Sequence, residues 1–268
     1  MSRAVYLFCF ARGGLVPPLS GKGISGHELL ITKDFSDITA VVCEVPQEEF
    51  AGSSSEERLQ DLGWVAPRAV RHEQVIEEVM RYSPVFPARF GTLFSSMERL
   101  ARLLELNHEI VSRFLDDVAD NEEWSVKGSL SKAQALEGIF SIKLKAASES
   151  FSSLTPGVRY FKERQIRGEA DKELTNWVKA ACNAVADELI GCSTDSRQRK
   201  IINLSKDESE KETVVNWAFL VNRSRIRDFL VRIDNANAKG GARGLFFECS
   251  GPWPPYTFST SLRTEPEA

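Results

Sequence analysis

A chain of 268 residues with 42% hydrophobic and 27% charged side chains can bury one large core or two ordinary ones. Its formal net charge of −4 and pI near 5.6 argue against general affinity for nucleic acid. No apolar run approaches the roughly 18–20 residues that a bilayer-spanning helix needs.

Residues 4–10 read as a strand. Arg3 ahead of Ala4–Ala11 imitates a signal peptide, but Arg12-Gly13-Gly14 follows without a small-residue cleavage pattern. A Gly/Pro-rich loop spans Gly13–Gly26. His27–Lys33 and Ile38–Val45 read as strands about the turn Asp34–Asp37, and Pro46 stops the second. Ser53-Ser54-Ser55 before Glu56-Glu57 reads as a helix start. The spacing of Ala69, Ile76, Val79 and Met80 predicts a helix over Ala66–Tyr82, with Pro67 in its first turn. Pro84 and Pro87 bracket a short extended piece. From Ser96 to Val118, Met97, Leu100, Leu104, Val111, Phe114 and Val118 form a helical seam that Asn107 interrupts. That seam faces either its own core or a partner helix.

Asp120–Glu123 is a polar break, and the expected domain boundary falls there, giving 1–119 and 120–268. The first part holds 12 basic and 17 acidic residues, net −5; the second is net +1. Trp124–Leu130 resumes as a strand. Ser131 caps a helix that reaches Ala147, and Ser148–Ser153 breaks it. Thr155-Pro156 starts another that runs to Leu189, with Gly168 as its weak point for a break and with Leu174, Trp177, Ala181, Val185 and Glu188 on one face. Arg199–Leu204 and Val214–Val221 read as strands about the turn Lys206–Glu212. Ser224 caps a helix ended by Gly240-Gly241, and Leu245–Cys249 is the last strand. The expected fold class is α+β in two domains: an N-terminal antiparallel sheet with helices, and a C-terminal ferredoxin-like βαββαβ sandwich ending in a proline-aromatic tail.

Chemical motifs are sparse. Gly21-Lys22-Gly23-Ile24-Ser25-Gly26 fits Gly-x-Gly-x-x-Gly, but about ten loop residues separate it from the first strand and no helix follows, so it reads as a hairpin loop. His27, His72 and His108 are isolated, without metal-ligand spacing, and His72 and His108 beside glutamates read as surface positions. Acidic doublets such as Glu77-Glu78 and Asp116-Asp117 read as solvated faces. Five widely spaced cysteines include no Cys-x-x-Cys pair, and Cys9, Cys43 and Cys249 read as small buried hydrophobes in a reducing compartment. Catalytic, cofactor and metal residues are therefore expected to be none.

Three stretches stand out as structural or interaction sites. Trp217 and Phe219 share a strand face as stacking aromatics would, so an RNA-binding module is the alternative function; yet Val214, Val215, Ala218 and Leu220 make both faces apolar, as burial of both would require. Arg89 is a lone cation in Pro84–Phe94, followed by Phe90 and by Gly91, which relaxes the backbone. It reads as a brace to an acid on the Ala66–Tyr82 helix or as an exposed anchor. Gly251–Phe258 packs Trp253, Pro254, Pro255 and Tyr256 into a segment too proline-rich for a central strand. It reads as a strap over the protein's own core or as a docking surface.

Taken in order, Pro87-Ala88-Arg89-Phe90-Gly91-Thr92-Leu93-Phe94, Glu123-Trp124-Ser125-Val126-Lys127, Thr155-Pro156-Gly157 with Tyr160, Trp217–Val221 and Gly251–Phe258 resemble the gas vesicle GvpF/GvpL family, and His72-Glu73 also fits. Ala88, where many members carry a larger residue, and Gly128, which interrupts an apolar strand, depart from its pattern. The resemblance implies a non-enzymatic minor structural or accessory protein of gas vesicles, located in the cytoplasm and the vesicle, including the gas-facing side of the shell. It implies association with the hydrophobic main shell protein and other accessory gas vesicle proteins, and with neither nucleic acid nor lipid membrane. A soluble partner of that kind would limit aggregation of the shell subunit during vesicle nucleation and assembly.

Overall fold

The computed structural model describes residues 2–50, 55–151, 155–201 and 211–263. In chain order its strands are β1 (Arg3–Arg12), β2 (Ile31–Phe35), β3 (Ile38–Pro46), β4 (Val85–Pro87), β5 (Leu93–Phe94), β6 (Asn121–Leu130), β7 (Asp195–Gln198), β8 (Glu212–Asn222) and β9 (Leu245–Trp253). The helices are α1 (Gln47–Phe50), α2 (Ser55–Gln60), α3 (Leu62–Met80), α4 (Met97–Asp117), α5 (Lys132–Phe151), α6 (Pro156–Ile190) and α7 (Ile226–Gly240). They fall into two compact units, one drawn from Met1–Glu123 and Pro252–Ala268, the other from Trp124–Gly251.

In the first unit an antiparallel sheet runs in the order β2-β3-β1-β4, with β5 also paired to β1. The apolar run of β1 is buried from Ala4 to Ala11 because helices cover both of its faces. Tyr6, Cys9, Val41 and Cys43 join Val75, Ile76 and Val79 of α3 in one core cluster. On the opposite face Phe10, Phe86 and Phe114 of α4 form an aromatic chain, with ring centroids 6.5 and 4.9 Å apart. The α4 seam thus faces its own core, where Leu100, Leu104, Val111 and Leu115 are buried. The register of β1 on β3 slips between Leu7 and Cys9, so Phe8 bulges and both Phe8 and Cys9 turn toward α3.

Several boundaries differ from the sequence reading. Helix α3 begins four residues early because the Asp61 carboxylate accepts the Gly63 N–H at 2.9 Å, which places Pro67 inside the helix rather than in its first turn. The strand expected over His27–Lys33 forms only from Ile31. His27 and Glu28 lie in a tight turn closed by Gly23 N–H to Glu28 O at 2.7 Å. Of the helix start expected at Ser53-Ser54-Ser55, the first two residues lie outside the described residues, and α2 is helical from Ser55.

The second unit orders its antiparallel sheet β7-β8-β6-β9, against which α5, α6 and α7 contribute Ala135, Leu174, Cys182, Leu189, Phe229 and Ile233 to one core. The element order is strand, two helices, two strands, helix, strand. Helix α5 continues through Ser148 to Phe151, and α6 passes Gly168 unbroken; Leu189, not Glu188, completes its buried face. Of the strand expected at Arg199–Leu204, residues 202–204 lie outside the described residues; the described ladder lies earlier, at Asp195–Gln198, where the chain finds the partners Trp217–Leu220. Residues 202–210, which hold most of the turn expected at Lys206–Glu212, lie outside the described residues. In the helix start expected at Ser224, Asn222 instead accepts the Ser224 N–H at 3.1 Å and α7 proper begins at Ile226. Gly128 is where β6 lets its neighbours close in: a Cβ there would sit 2.5 Å from Val215 Cγ2.

Candidate functional site

The segment 85–94 is a broken edge strand. β4 pairs with Cys9–Ala11 and β5 with Val5–Tyr6, while the residues between them loop outward. The bulge at Phe8 matches that loop, for Phe8 O accepts the Ala88 N–H at 2.9 Å and Thr92 O accepts the Leu7 N–H at 3.0 Å. Gly91 turns the loop at φ 83°, in the left-handed region that favours glycine.

The loop is held by a buried polar chain with only one consistent direction. Gly91 N–H donates to the Tyr6 hydroxyl at 3.2 Å, and that hydroxyl meets His72 Nδ1 at 2.9 Å. His72 Nε2 meets Ala88 O at 3.0 Å. A carbonyl can only accept, so Nε2 carries the proton, Nδ1 is the acceptor, and Tyr6 donates to it. His72 is 2% exposed, with Phe8 stacked on its ring at 5.6 Å, which corrects its reading as a surface histidine. Burial lowers its pKa from 6.5 to about 4 and pushes the Tyr6 phenol up. Phe90 packs edge-on to both rings, at 6.4 Å from Tyr6 and 5.9 Å from His72.

Arg89 does not brace α3. Its side chain is exposed at the loop tip, no carboxylate among the described residues pairs with it, and its carbonyl accepts the Thr92 N–H and hydroxyl. Of the two sequence readings, the exposed one describes its position.

The residue after His72 reaches the C-terminal tail. Glu73 Oε2 accepts the Tyr256 hydroxyl at 3.1 Å. Burial raises the Glu73 pKa against the lowering effect of that bond, and burial beside Glu73 pushes Tyr256 up. Pro254 and Pro255 are buried, and Pro255 O accepts the N–H groups of Phe258 and Ser259. Thr257 gives its hydroxyl and N–H to the buried Glu123 carboxylate at 2.7 and 3.1 Å. Farther on, Asn107 of α4 receives the Arg263 N–H at 2.7 Å and donates to its carbonyl at 2.9 Å. The tail therefore passes from the α3 face to the α4 face around the β4–β5 edge. Trp253 ends β9 and is 38% exposed; the strand runs four residues beyond Cys249 because Pro252 sits on an edge strand that tolerates a missing N–H.

Between this strap, α4 and the edge lies a groove of about 490 Å³. Leu7, Phe10, Phe86, Leu93 and Leu103 give it apolar walls, Arg89 and Thr92 lie at its side, and Ser259–Leu262 form the opposite bank. Arg89, Phe90, Gly91, Pro254, Pro255 and Tyr256 thus belong to one region of the first unit. Trp217 and Phe219 do not. Trp217 stacks on Phe247 at 6.2 Å and Phe219 packs on Phe229 at 5.4 Å, so both rings are engaged inside the second unit. The backs of the same strand, Ala218 and Leu220, are buried as well. Gly21–Gly26 closes a hairpin whose Ile24 is plugged into the first core, and Arg71 grips Lys22 O. His108, half-exposed, pairs with Asp37 at 2.5 Å, and its hydrogen bond holds the Asp37 carboxyl below its ordinary value. Among the described residues no group of three His, Cys, Asp or Glu side chains has the geometry to hold a metal ion, and no helix is long and apolar enough to cross a membrane.

This two-unit α/β architecture has counterparts among gas vesicle proteins. The family model described as gas vesicle synthesis protein GvpL/GvpF matches residues 4–260, and the chain belongs to that family. It is 26% identical over 263 residues to gas vesicle protein L of Streptomyces sp. (strain CB03234), covering 96% of this chain and 93% of that one. Gas vesicle protein F of the same organism is 21% identical over 187 residues, covering 70% and 75%. The crystal structure of GvpF from Anabaena sp. PCC7120 superposes with a TM-score of 0.70 at 18% identity over the whole of both chains. GvpF from Microcystis aeruginosa gives 0.67 at 15% identity, covering 96% and 99%.

Proposed function

We propose that this chain is a minor structural or accessory protein of the gas vesicle that associates with the hydrophobic main shell protein and limits its aggregation during nucleation and assembly. Other accessory gas vesicle proteins are its further partners, and the gas-facing side of the shell is within its reach. The observation that carries this reading is the convergence of two distinctive stretches, 85–94 and 252–262, on one sheet edge beside an apolar groove. An apolar segment of a shell subunit laid in that groove would be removed from water and from its own kind. The titratable groups around the edge support a non-enzymatic role: His72, Tyr6, Glu73, Glu123 and Tyr256 all hydrogen-bond to backbone or to one another and so brace the loop and strap.

Co-expression with the main shell protein tests this. The wild-type chain should keep shell protein in the soluble fraction and co-purify with it, and the double variant of exposed Arg89→Glu with half-buried Leu103→Asp on the groove wall should release it, with circular dichroism checking that the fold is kept. Absence of association by the wild-type chain, or undiminished association and normal vesicles with the double variant, would refute the reading.

A further inference from the structure

Two exposed apolar strips on this one chain carry opposite charge. The first lies on the α5–α6 helix pair of the second unit. Val158, Tyr160 and Phe161 are 50%, 63% and 71% exposed, and the two adjacent rings sit 6.0 Å apart, edge to face. Residues 158–168, around the rings, hold four basic and one acidic side chain, a net +3 in a chain of net −4. Arg159 and Arg164 stand exposed beside the aromatics, and Arg167 lies over the Phe140 ring at 5.1 Å.

The second strip is on α2 and α3 of the first unit. Leu59, Leu62 and Val70 are 53%, 79% and 56% exposed. Leu62, Ala66 and Val70 follow one another at four-residue spacing along one side of α3, and the strip is bordered by exposed Asp61 and Glu77. It belongs to the part of the chain whose net charge is −5.

We propose that the basic aromatic strip of α5–α6 docks on the acidic strip of α2–α3 of a second copy of this chain. Each strip alone is an apolar surface of the kind that marks a contact site, and opposite sign specifies which surface meets which. The two surfaces differ, so the contact is head-to-tail: each copy offers one free strip at either end, and association runs to short open chains or closes into a ring. Burial of Phe161 and Leu62 supplies the attraction, and the charges set register and salt dependence.

Sedimentation velocity of the full chain over a wide concentration range, at low and high salt, tests this. The weight-average mass should rise beyond a dimer at low salt and fall back toward the monomer at high salt. Tyr160→Ser with Phe161→Ser removes one surface, and Leu62→Ser with Val70→Ser removes the other. All four positions are exposed, so the fold is retained, which circular dichroism checks. Each double variant alone should remain monomeric, and a mixture of the two should give a discrete one-to-one dimer through the surviving pair of surfaces. A wild-type chain that is monomeric throughout, association that survives either double variant, or a mixture that fails to pair would overturn the proposal. Loss of binding to an RNA oligonucleotide or an anionic vesicle in the α6 variant, with its mass unchanged from wild type, would overturn it too.

Discussion

Replacing His72 with Phe keeps a ring of similar shape against Phe8 but leaves Ala88 O without a donor and the Tyr6 hydroxyl without its acceptor. Each buried polar group stranded in this way costs about 1–3 kcal/mol, so the variant should lose roughly 2–5 kcal/mol at pH 7. The loss should depend on pH with a definite sign. His72 titrates near 4 in the folded chain against an ordinary 6.5, so the unfolded chain takes up the proton first. Its contribution is fully present above pH 6.5 and is lost as pH falls toward 4. Between pH 7 and pH 5 the wild-type chain should give up about 2 kcal/mol on this account, and His72→Phe none of it. Glu73, raised by burial, works in the opposite sense but is common to both proteins. Urea unfolding followed by intrinsic fluorescence at both pH values should show the gap between the two narrowing by about 2 kcal/mol at the lower pH. A gap that stays constant or widens would mean that His72 is not the neutral, buried link between Tyr6 and Ala88.

Gly91→Ala forces a side chain into a backbone at φ 83° and should cost about 1–2 kcal/mol in thermal unfolding, although nothing stands in the way of the added methyl. Gly128→Val puts a branched side chain where even a Cβ meets Val215 at 2.5 Å; it should destabilise the second unit by about 1–3 kcal/mol, read by the same method. Asn107→Ala removes both bonds to Arg263 and should free the strap; limited proteolysis should then cut near the C terminus many times faster, with the rest of the chain protected. Cys43 and Cys182, with thiols pushed up to about 12 and about 11 by burial, should resist alkylation at pH 8 until the chain is unfolded.

Periodicity made much of this architecture legible. The α4 seam could be read because three- and four-residue spacings of Leu and Val admit one buried face, and the interruption at Asn107 was itself a signal: an amide in a core seam needs buried partners, and here they are the backbone of Arg263. His72 was missed although a similar signal existed, for it precedes Ile76 and Val79 at four- and seven-residue spacing on the buried side of α3. Its glutamate neighbour suggested solvent, but Glu73 is itself half-buried under Tyr256. The bulge at Phe8 has no counterpart in the sequence, because a continuous apolar run does not show where one residue will be left over. The onset of β7 was misplaced because Asp195–Gln198 is polar; pairing with Trp217–Leu220, not side-chain character, makes it a strand. The groove was invisible for a simpler reason: it forms only where residues near 90, 103 and 260 meet.

The strap around the first sheet has a temporal consequence. Residues 252–263 leave the ribosome only after the whole of 124–251 has been made. Until then Glu123 lacks Thr257, Asn107 lacks Arg263, and the β4–β5 edge has no tail across it. The unit that begins to be made before its neighbour is therefore completed after it, and a nascent chain stalled anywhere between Trp124 and Pro252 would leave that rim uncovered.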